Sequence, residues 1–424
     1  MLPPSPRHFY REFGPDFPAR YQWRICPVTG AYVIDPSLMK RGRSITLRRV
    51  QDWWARDVKH YRHVFNCDFL EYKIIASQDK AFEMFRQGQF DYYLAGLPRY
   101  WYDKAEIPEI YRGYIERHMF YNEYPQVTWG IRINESKPLL DNLDIRIGIS
   151  HAMNFQKVID VDFRGDKTRM NSTVSGFGKF TNPDLRARPF DPVKAREHFA
   201  KAGFTKTGPD GILVNAEGKR LSFTLTTFNS GTITPIMLRL KEEAKKAGLE
   251  MNIEGLDPTQ MYKKLDQKNH EMGFAGFGAQ PPYPRFWDDY HSDNAFKTGK
   301  DGKREVVTDT NNITQTADPA LDPIIDQHRK AKTEDEVREL SWKLAKLIEE
   351  RACTIPAWES PFYRYMTWRW VQWPKNGNAR KSREPLDAHM FWIDEELKRE
   401  TKEAMRTGRD FGETLRVFDA YKAK

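Results

Sequence analysis

Cysteine is almost missing from this chain: Cys26, Cys67 and Cys353 are the only three in 424 residues. None stands in a Cys-x-x-Cys pair and no histidine lies at ligand spacing, which argues against a zinc site. The odd count leaves at least one thiol unpaired within the chain. No apolar run reaches the ~18 residues that a membrane span requires. The opening residues, "MLPPSPRHFYREFGPDFPARYQWR", lack the apolar stretch of a secretory leader. They read instead as a loop crossing a surface. Lys and Arg outnumber Asp and Glu by 68 to 59, a net charge of +9. That excess is scattered, and no basic block marks a nucleic-acid-binding tail. G-x-S-x-G is absent, and the glycine-rich "SGFGKF" (175–180) lacks the Lys-Ser/Thr ending that cradles phosphates. Internal repeats and low-complexity tracts are also absent.

Aromatic side chains, by contrast, are plentiful: 12 Trp, 19 Tyr and 26 Phe. Such rings fill cores, and they also line clefts that hold ligands by stacking and area burial. The length allows two or three domains.

Periodicity and punctuation divide the chain into alternating elements. "TGAYVI" (29–34) and the alternating "SITLRRV" (44–50) read as strands. A strand at 69–76, a helix capped by Ser77 and ended by Gly88, and a strand at 90–96 together read as a βαβ unit. Residues 124–134 alternate, with Val127, Trp129, Ile131 and Ile133 on one face. Residues 143–163 show helical spacing and read as one long helix. Asp191, Pro192 and Gly203 punctuate a helix over 190–204. Strand 220–228, helix 234–248, strand 249–256, helix 257–270 and strand 271–278 follow in order. Their connections predict parallel pairing. Residues 333–352 form an amphipathic helix, 353–368 are extended and broken by prolines, and 390–424 are charged and helical in pattern.

Open α/β sheets bind ligands beyond the C-terminal ends of their strands. The segment "GFGAQPPYPRFWDDYH" (276–291) leaves strand 271–278 at such a place, and its glycines permit close backbone approach. The adjacent Asp288 and Asp289 could mimic a catalytic carboxylate pair. Neighbours on an extended loop point apart, however, and His291 is the sole histidine nearby. His151, on a helix near Met153, reads as a satisfied histidine. An enzyme is not indicated.

"TGAYVI", "RSITLRRVQDWWA", "KIIASQDKAFEMFRQGQFDYY", "INESKPLLDNLDIRIGISHAMNFQKVI", "DPVKAREHFAKAGF" and "IPAWESPFY" occur in an order that resembles the family 5 extracellular solute-binding proteins of ABC importers. "DIRIGISHAMNFQKVI" is similar to the family pattern D-x-R-V-R-x-A-L-x-x-A-I-D-R, and "AREHFAKAGF" to A-x-x-L-L-x-E-A-G. The aromatic richness and "FRQGQFDYY" look closest to the oligopeptide and microcin-uptake branch. The resemblance implies an α/β protein with the two-lobed periplasmic-binding-protein type II fold. Its lobes close on a peptide or peptide-like solute, which is passed to permease subunits in the inner membrane without chemistry. It also implies a monomer, a periplasmic location and no cofactor. The first lobe would comprise 1–133, with a return at 356–395, and the second 134–355. Residues 396–424 would form a helical tail, and hinges would lie near Asn134 and Pro356.

Two departures stand out. Family members carry a leader and a long segment ahead of the "TGAY" strand, so the chain resembles the C-terminal two-thirds of a member, its first lobe incomplete. Such a lobe is expected to expose an apolar sheet edge. Second, the family's G-W-x-x-D-Y turn, whose Asp pairs with a ligand ammonium, aligns with Gly276–Pro281. Gln280 there is neutral and can hydrogen-bond but cannot form the ion pair, so either free peptides are not bound in that mode or the charge comes from elsewhere, with Asp288 or Asp289 as candidates. The contact residues expected are Phe277, Gln280, Tyr283 and Trp287, with Trp358 on the hinge side, Trp129 from the first lobe, and Asn229 ending strand 220–228. Each ring has packing as its alternative role, and Asn229 has turn capping. A second functional class, a basic nucleic-acid-binding protein, rests on the arginine-tryptophan run "RYMTWRWVQW" (364–373).

Overall fold

The computed structural model describes residues 6–21, 23–125, 127–277 and 282–422. The chain divides into two compact units: Met1–Asn122 with Phe362–Lys424, and Glu123–Pro361. The hinge positions read from sequence, Asn134 and Pro356, both fall inside the second unit.

The second unit is built on a five-stranded sheet. Its strands are β1 (Thr128–Ile133), β2 (Ser222–Phe228), β3 (Glu250–Leu256), β4 (Met272–Phe277) and β5 (Thr354–Pro356). Their order across the sheet is β3-β2-β4-β1-β5. β2 pairs parallel with both β3 and β4, and β1 runs antiparallel to β4 and β5. The parallel pairing expected of the strands at 220–277 is therefore present. β1 departs from its expected alternation. Ile131 and Ile133 are fully buried, but Gly130 and Arg132 between them are buried as well, while Val127 precedes the strand and is 40% exposed. A strand flanked on both edges and covered on both faces has no solvent side to alternate toward.

Seven longer helices surround this sheet: α1 (Leu143–Ala152), α2 (Phe155–Val161), α3 (Pro192–Lys201), α4 (Ile233–Lys246), α5 (Pro258–Asp266), α6 (Asp322–Lys330) and α7 (Glu334–Arg351). Their starts follow the sequence closely. Asp191 Oδ1 accepts from the amides of Val193 and Lys194, and Asp257 Oδ1 from that of Thr259. Thr333 and Glu336 close a capping box on α7. The single helix expected over 143–163 is instead two. Asn154 leaves the helical conformation, and its Oδ1 accepts from the Lys157 amide at 3.0 Å, starting α2 afresh. Its Nδ2 donates to Glu243 on α4 at 2.9 Å, so the break anchors one helix to another. His151 is buried, with Nδ1 hydrogen-bonded to the Pro189 carbonyl oxygen at 2.9 Å, as read.

A buried ion network fixes the segment that follows β1. Glu135 pairs with Arg146 of α1 at 3.1 Å and with Arg351 at the end of α7 at 2.8 Å. Thr316 donates to the same carboxylate at 3.0 Å, and Arg351 also pairs with Asp318 at 2.6 Å.

Among the described residues the first unit holds two larger sheets and a two-residue ribbon, Val371–Gln372 with Trp392–Ile393. Tyr32–Ile34, Ser44–Arg49 and Phe69–Lys73 form an antiparallel three-stranded sheet. The other has four strands in the order Leu415–Phe418, Ile115–Phe120, Tyr363–Trp368 and Tyr92–Leu94. Ser77 caps the helix Gln78–Arg86, Phe82 and Phe85 are fully buried, and Gly88 adopts φ +73°, all as expected. The flanking strands, however, belong to different sheets, so no βαβ unit forms there. The chain end is not wholly helical either. A helix spans Glu395–Thr407, Gly408 ends it with φ +76°, and Leu415–Phe418 then pairs parallel with Ile115–Phe120. The first half of the run 364–373 lies in the inner strand Tyr363–Trp368, and Val371–Gln372 pairs with Trp392–Ile393 in a separate two-residue ribbon. Trp368 and Trp370 are buried and stacked at 4.7 Å, which withdraws those two rings from any base-stacking surface.

Candidate functional site

Strand directions define one rim of the second unit's sheet. β2, β3, β4 and β5 all end there, and β1 begins there. The residues at that edge are Phe228, Leu256, Phe277, Pro356 and Thr128. Ligand sites of open sheets form beyond such strand ends.

An aromatic cluster lies beneath it. Trp129 of β1 stacks on Phe274 of β4 at 5.7 Å and on Trp358 at 6.2 Å, with interplanar angles of 22° and 16°. Phe274 and Trp358 approach to 5.4 Å, Phe163 packs at a tilt on Trp358 at 4.9 Å, and Phe228 reaches Trp129 at 6.2 Å. Phe274 and Trp358 are buried, whereas Trp129 and Phe228 are half-buried. Two of the three tryptophans named from sequence thus come together, Trp358 as packed interior and Trp129, which lies in the second unit and not in the first lobe as expected, with part of its surface open.

Gly276 makes room for this arrangement. A Cβ there would come within 2.9 Å of the Trp129 ring. The space that glycine provides is taken by the protein's own indole, not left for a ligand backbone as the sequence suggested. Tyr262, 37% exposed on α5, donates its hydroxyl to the Gly276 carbonyl oxygen at 3.1 Å. Nothing in the sequence pattern marked it.

The remaining expected residues are distributed as follows. Gln280 and the side chain of Phe277 lie outside the described residues. Asn229 is exposed at the end of β2, and its Nδ2 donates to the Gly255 carbonyl oxygen of the neighbouring β3 at 3.0 Å, a cross-strand bond and not the turn cap weighed from sequence. Tyr283 is 37% exposed and meets Phe180 edge-on at 5.0 Å. Trp287 begins a short helix, packs on the core under α6 and α7, and carries the Arg329 guanidinium 4.5 Å over its face. Asp289 shares a small cavity with Arg132, Tyr290 and Asn311. Burial pushes its carboxyl up to about 6 although Arg132 opposes the shift, and Asp288 reinforces it.

Past β5, Trp358–Glu359 pairs with Thr168–Arg169 in a two-residue ribbon. Arg169 lies 5.0 Å over Phe155 and donates to the Ala357 carbonyl oxygen at 2.8 Å, and burial lowers its guanidinium to about 10. Glu359 is half-buried and accepts from Ser175 Oγ at 2.6 Å. Burial raises its carboxyl above the ordinary range, with the Ser175 hydrogen bond opposing. Neither Glu359 nor Ser175 was flagged by sequence, where "IPAWESPFY" pointed only to its tryptophan.

The model for the bacterial extracellular solute-binding proteins, family 5, matches residues 5–336. The chain belongs to this family. The reading drawn from six ordered motifs is therefore borne out. Similar proteins include the probable peptide-binding protein YejA of Agrobacterium fabrum, 22% identical over 403 residues, 85% of this chain and 62% of that protein. Among solved structures, the oligopeptide-binding protein AppA of Bacillus subtilis, in complex with a nonapeptide, is 16% identical. Its TM-score is 0.69, over 86% of this chain and 66% of that one. NikZ of Campylobacter jejuni, in complex with Ni(L-His), is 14% identical with a TM-score of 0.70, over 91% of this chain and 72% of that one. The fold of this family 5 protein is accordingly the type II periplasmic-binding-protein fold. The chain spans about 60% of the length of the curated relatives it matches.

Among the described residues, no group of His, Cys, Asp or Glu is placed to hold a metal ion. No helix among them is long and apolar enough to cross a membrane.

Proposed function

We propose that this family 5 protein is the substrate-binding component of an ABC transporter, holding a peptide or peptide-like solute and delivering it unaltered to the permease. The proposal includes a periplasmic setting, a monomer, and no part for nucleic acid. The solute rests at the sheet rim where β4 and β5 end. Trp129 offers the open edge of an indole stack there, and Tyr262 and Glu359 supply polar atoms at the flanks. Phe277, Gln280, Tyr283, Trp287 and Asn229 stay in the proposal as flanking contacts, and Trp358 supports the Trp129 indole from beneath.

The observation that carries this reading is the half-open Trp129 indole at the rim of a parallel-strand edge, in a chain of the solute-binding family. Rings bury large area at low entropic cost and tolerate varied side chains. The test is thermal melting with a mixed peptide library, because a ligand that binds only the folded state raises the melting temperature by mass action. A rise of several degrees with saturating peptide supports the proposal. No rise with peptides, together with salt-sensitive binding to oligonucleotides, would reverse it in favour of a nucleic-acid-binding protein.

A further inference from the structure

Gln280 is neutral, and Asp289, one of the two carboxylates named from sequence as a source of charge, is poorly suited, as is Glu254 near the end of β3. Asp289 shares its cavity with the Arg132 guanidinium, so its charge already has an internal counterpart. Glu254 is engaged by Lys264 and by the Thr226 hydroxyl, both at 2.6 Å. Glu359 differs from both. It lies three residues past the end of β5, on the rim side of the sheet. Successive residues of an extended ribbon point to opposite faces. Trp358 turns into the aromatic cluster, so Glu359 points the other way, half-buried and not sealed. Among the described residues its hydrogen-bond partner is Ser175, a neutral donor, and no cation pairs with it. Ser175 occupies Oε2 alone, which leaves Oε1 to accept from another donor.

We infer that Glu359 is the anionic anchor for an ammonium group of the captured solute, with Ser175 holding the carboxylate in position. This rests on the solute-binding reading above and narrows the solute to amine-bearing, peptide-like compounds. A partly desolvated carboxylate with a neutral hydrogen bond and no internal cation gains most from a ligand that brings the missing charge. The raised carboxyl of Glu359 fits the same picture, since an arriving cation would relieve the cost of burying the anion.

The test is calorimetric titration of the whole chain with short peptides, each with a free amino terminus and in N-acetylated form. Wild type is compared with Glu359→Gln and Ser175→Ala. Glutamine keeps an oxygen for Ser175, so folding is expected to be intact, and melting without ligand checks this. The expected result is a tenfold to hundredfold loss of affinity for free-amine peptides in Glu359→Gln, in line with roughly 1.5–3 kcal/mol for a charge-assisted bond. Acetylated peptides should bind wild type and Glu359→Gln alike, and Ser175→Ala should cause a smaller loss confined to the free-amine form. If peptides bind but Glu359→Gln leaves both forms unchanged, or weakens both equally, the anchor is wrong and the solute-binding reading survives. If wild type binds neither form, the solute-binding reading itself fails and the anchor falls with it.

Discussion

Glu243 offers a quantitative test of how the second unit is held together. This carboxylate on α4 is 4% exposed in its side chain, and burial alone would raise its pKa. Lys157 and Lys246 each donate to Oε1 at 2.7 Å, and Asn154 donates to Oε2 at 2.9 Å. Together they overcome the burial cost and hold the carboxyl at about 2, against an ordinary value of 4.5. A gap of that size corresponds to roughly 3 kcal/mol at ~1.4 kcal/mol per pH unit. Lys157 and Lys246 are 40% and 54% exposed, so solvent screening reduces the expected figure to about 1–2 kcal/mol. A carboxyl depressed on folding binds fewer protons when folded than when unfolded. Its contribution is therefore complete above the unfolded value and drains away as pH falls through 4.5 toward 2. Urea unfolding of wild type and Glu243→Gln, compared at pH 7 and at steps down to pH 3, reads this directly. The expected difference is about 1–2 kcal/mol at neutral pH, narrowing across the acid window. A difference that stays constant with pH, or none at pH 7, would refute the reasoning.

Three other perturbations follow from the geometry. Gly276→Ala places a methyl about 2.9 Å from the Trp129 ring, so the indole must move. A loss of about 1–3 kcal/mol in stability is expected, with weaker peptide binding, and unchanged melting and affinity would contradict it. Glu135→Gln strands Arg146, whose side chain is 5% exposed, and should cost about 3 kcal/mol by denaturant titration; under ~1 kcal/mol would mean the network is loosely coupled. Trp358→Ala removes the ring that joins Trp129, Phe274 and Phe163, and a loss of about 3–5 kcal/mol is expected in the same measurement.

Much of the second unit could be read directly from residues. Asp191 caps its helix because a short oxygen-bearing side chain satisfies amides locally, and local chemistry is what a sequence displays; the helix starts read at 257 and 333 fall on the residues, Asp257 and Thr333, that cap them. The 220–277 region was legible because strand, helix and strand recur at spacings that allow only a right-handed parallel crossover. The break at Asn154 was not, since its partner Glu243 lies 89 residues away. The strands Phe69–Lys73 and Tyr92–Leu94 also misled, because adjacency in the chain does not decide which sheet each one joins. Leu415–Phe418 escaped for a similar reason: its ladder partner, Ile115–Phe120, is remote in sequence. In the candidate site, Trp129 and Trp358 announced themselves by size. Tyr262, Ser175 and Glu359 are ordinary surface residue types until the topology brings them to the rim.

The central claim is that a solute sits at the rim where β4 and β5 end and leaves chemically unchanged. Hydrogen exchange read by mass spectrometry, with and without a saturating peptide pool, tests it most directly. The account predicts new protection at 127–130, 255–262, 276–277 and 357–360, with every recovered peptide at its original mass. Protection confined to other segments, or peptides returned cleaved or modified, would contradict it.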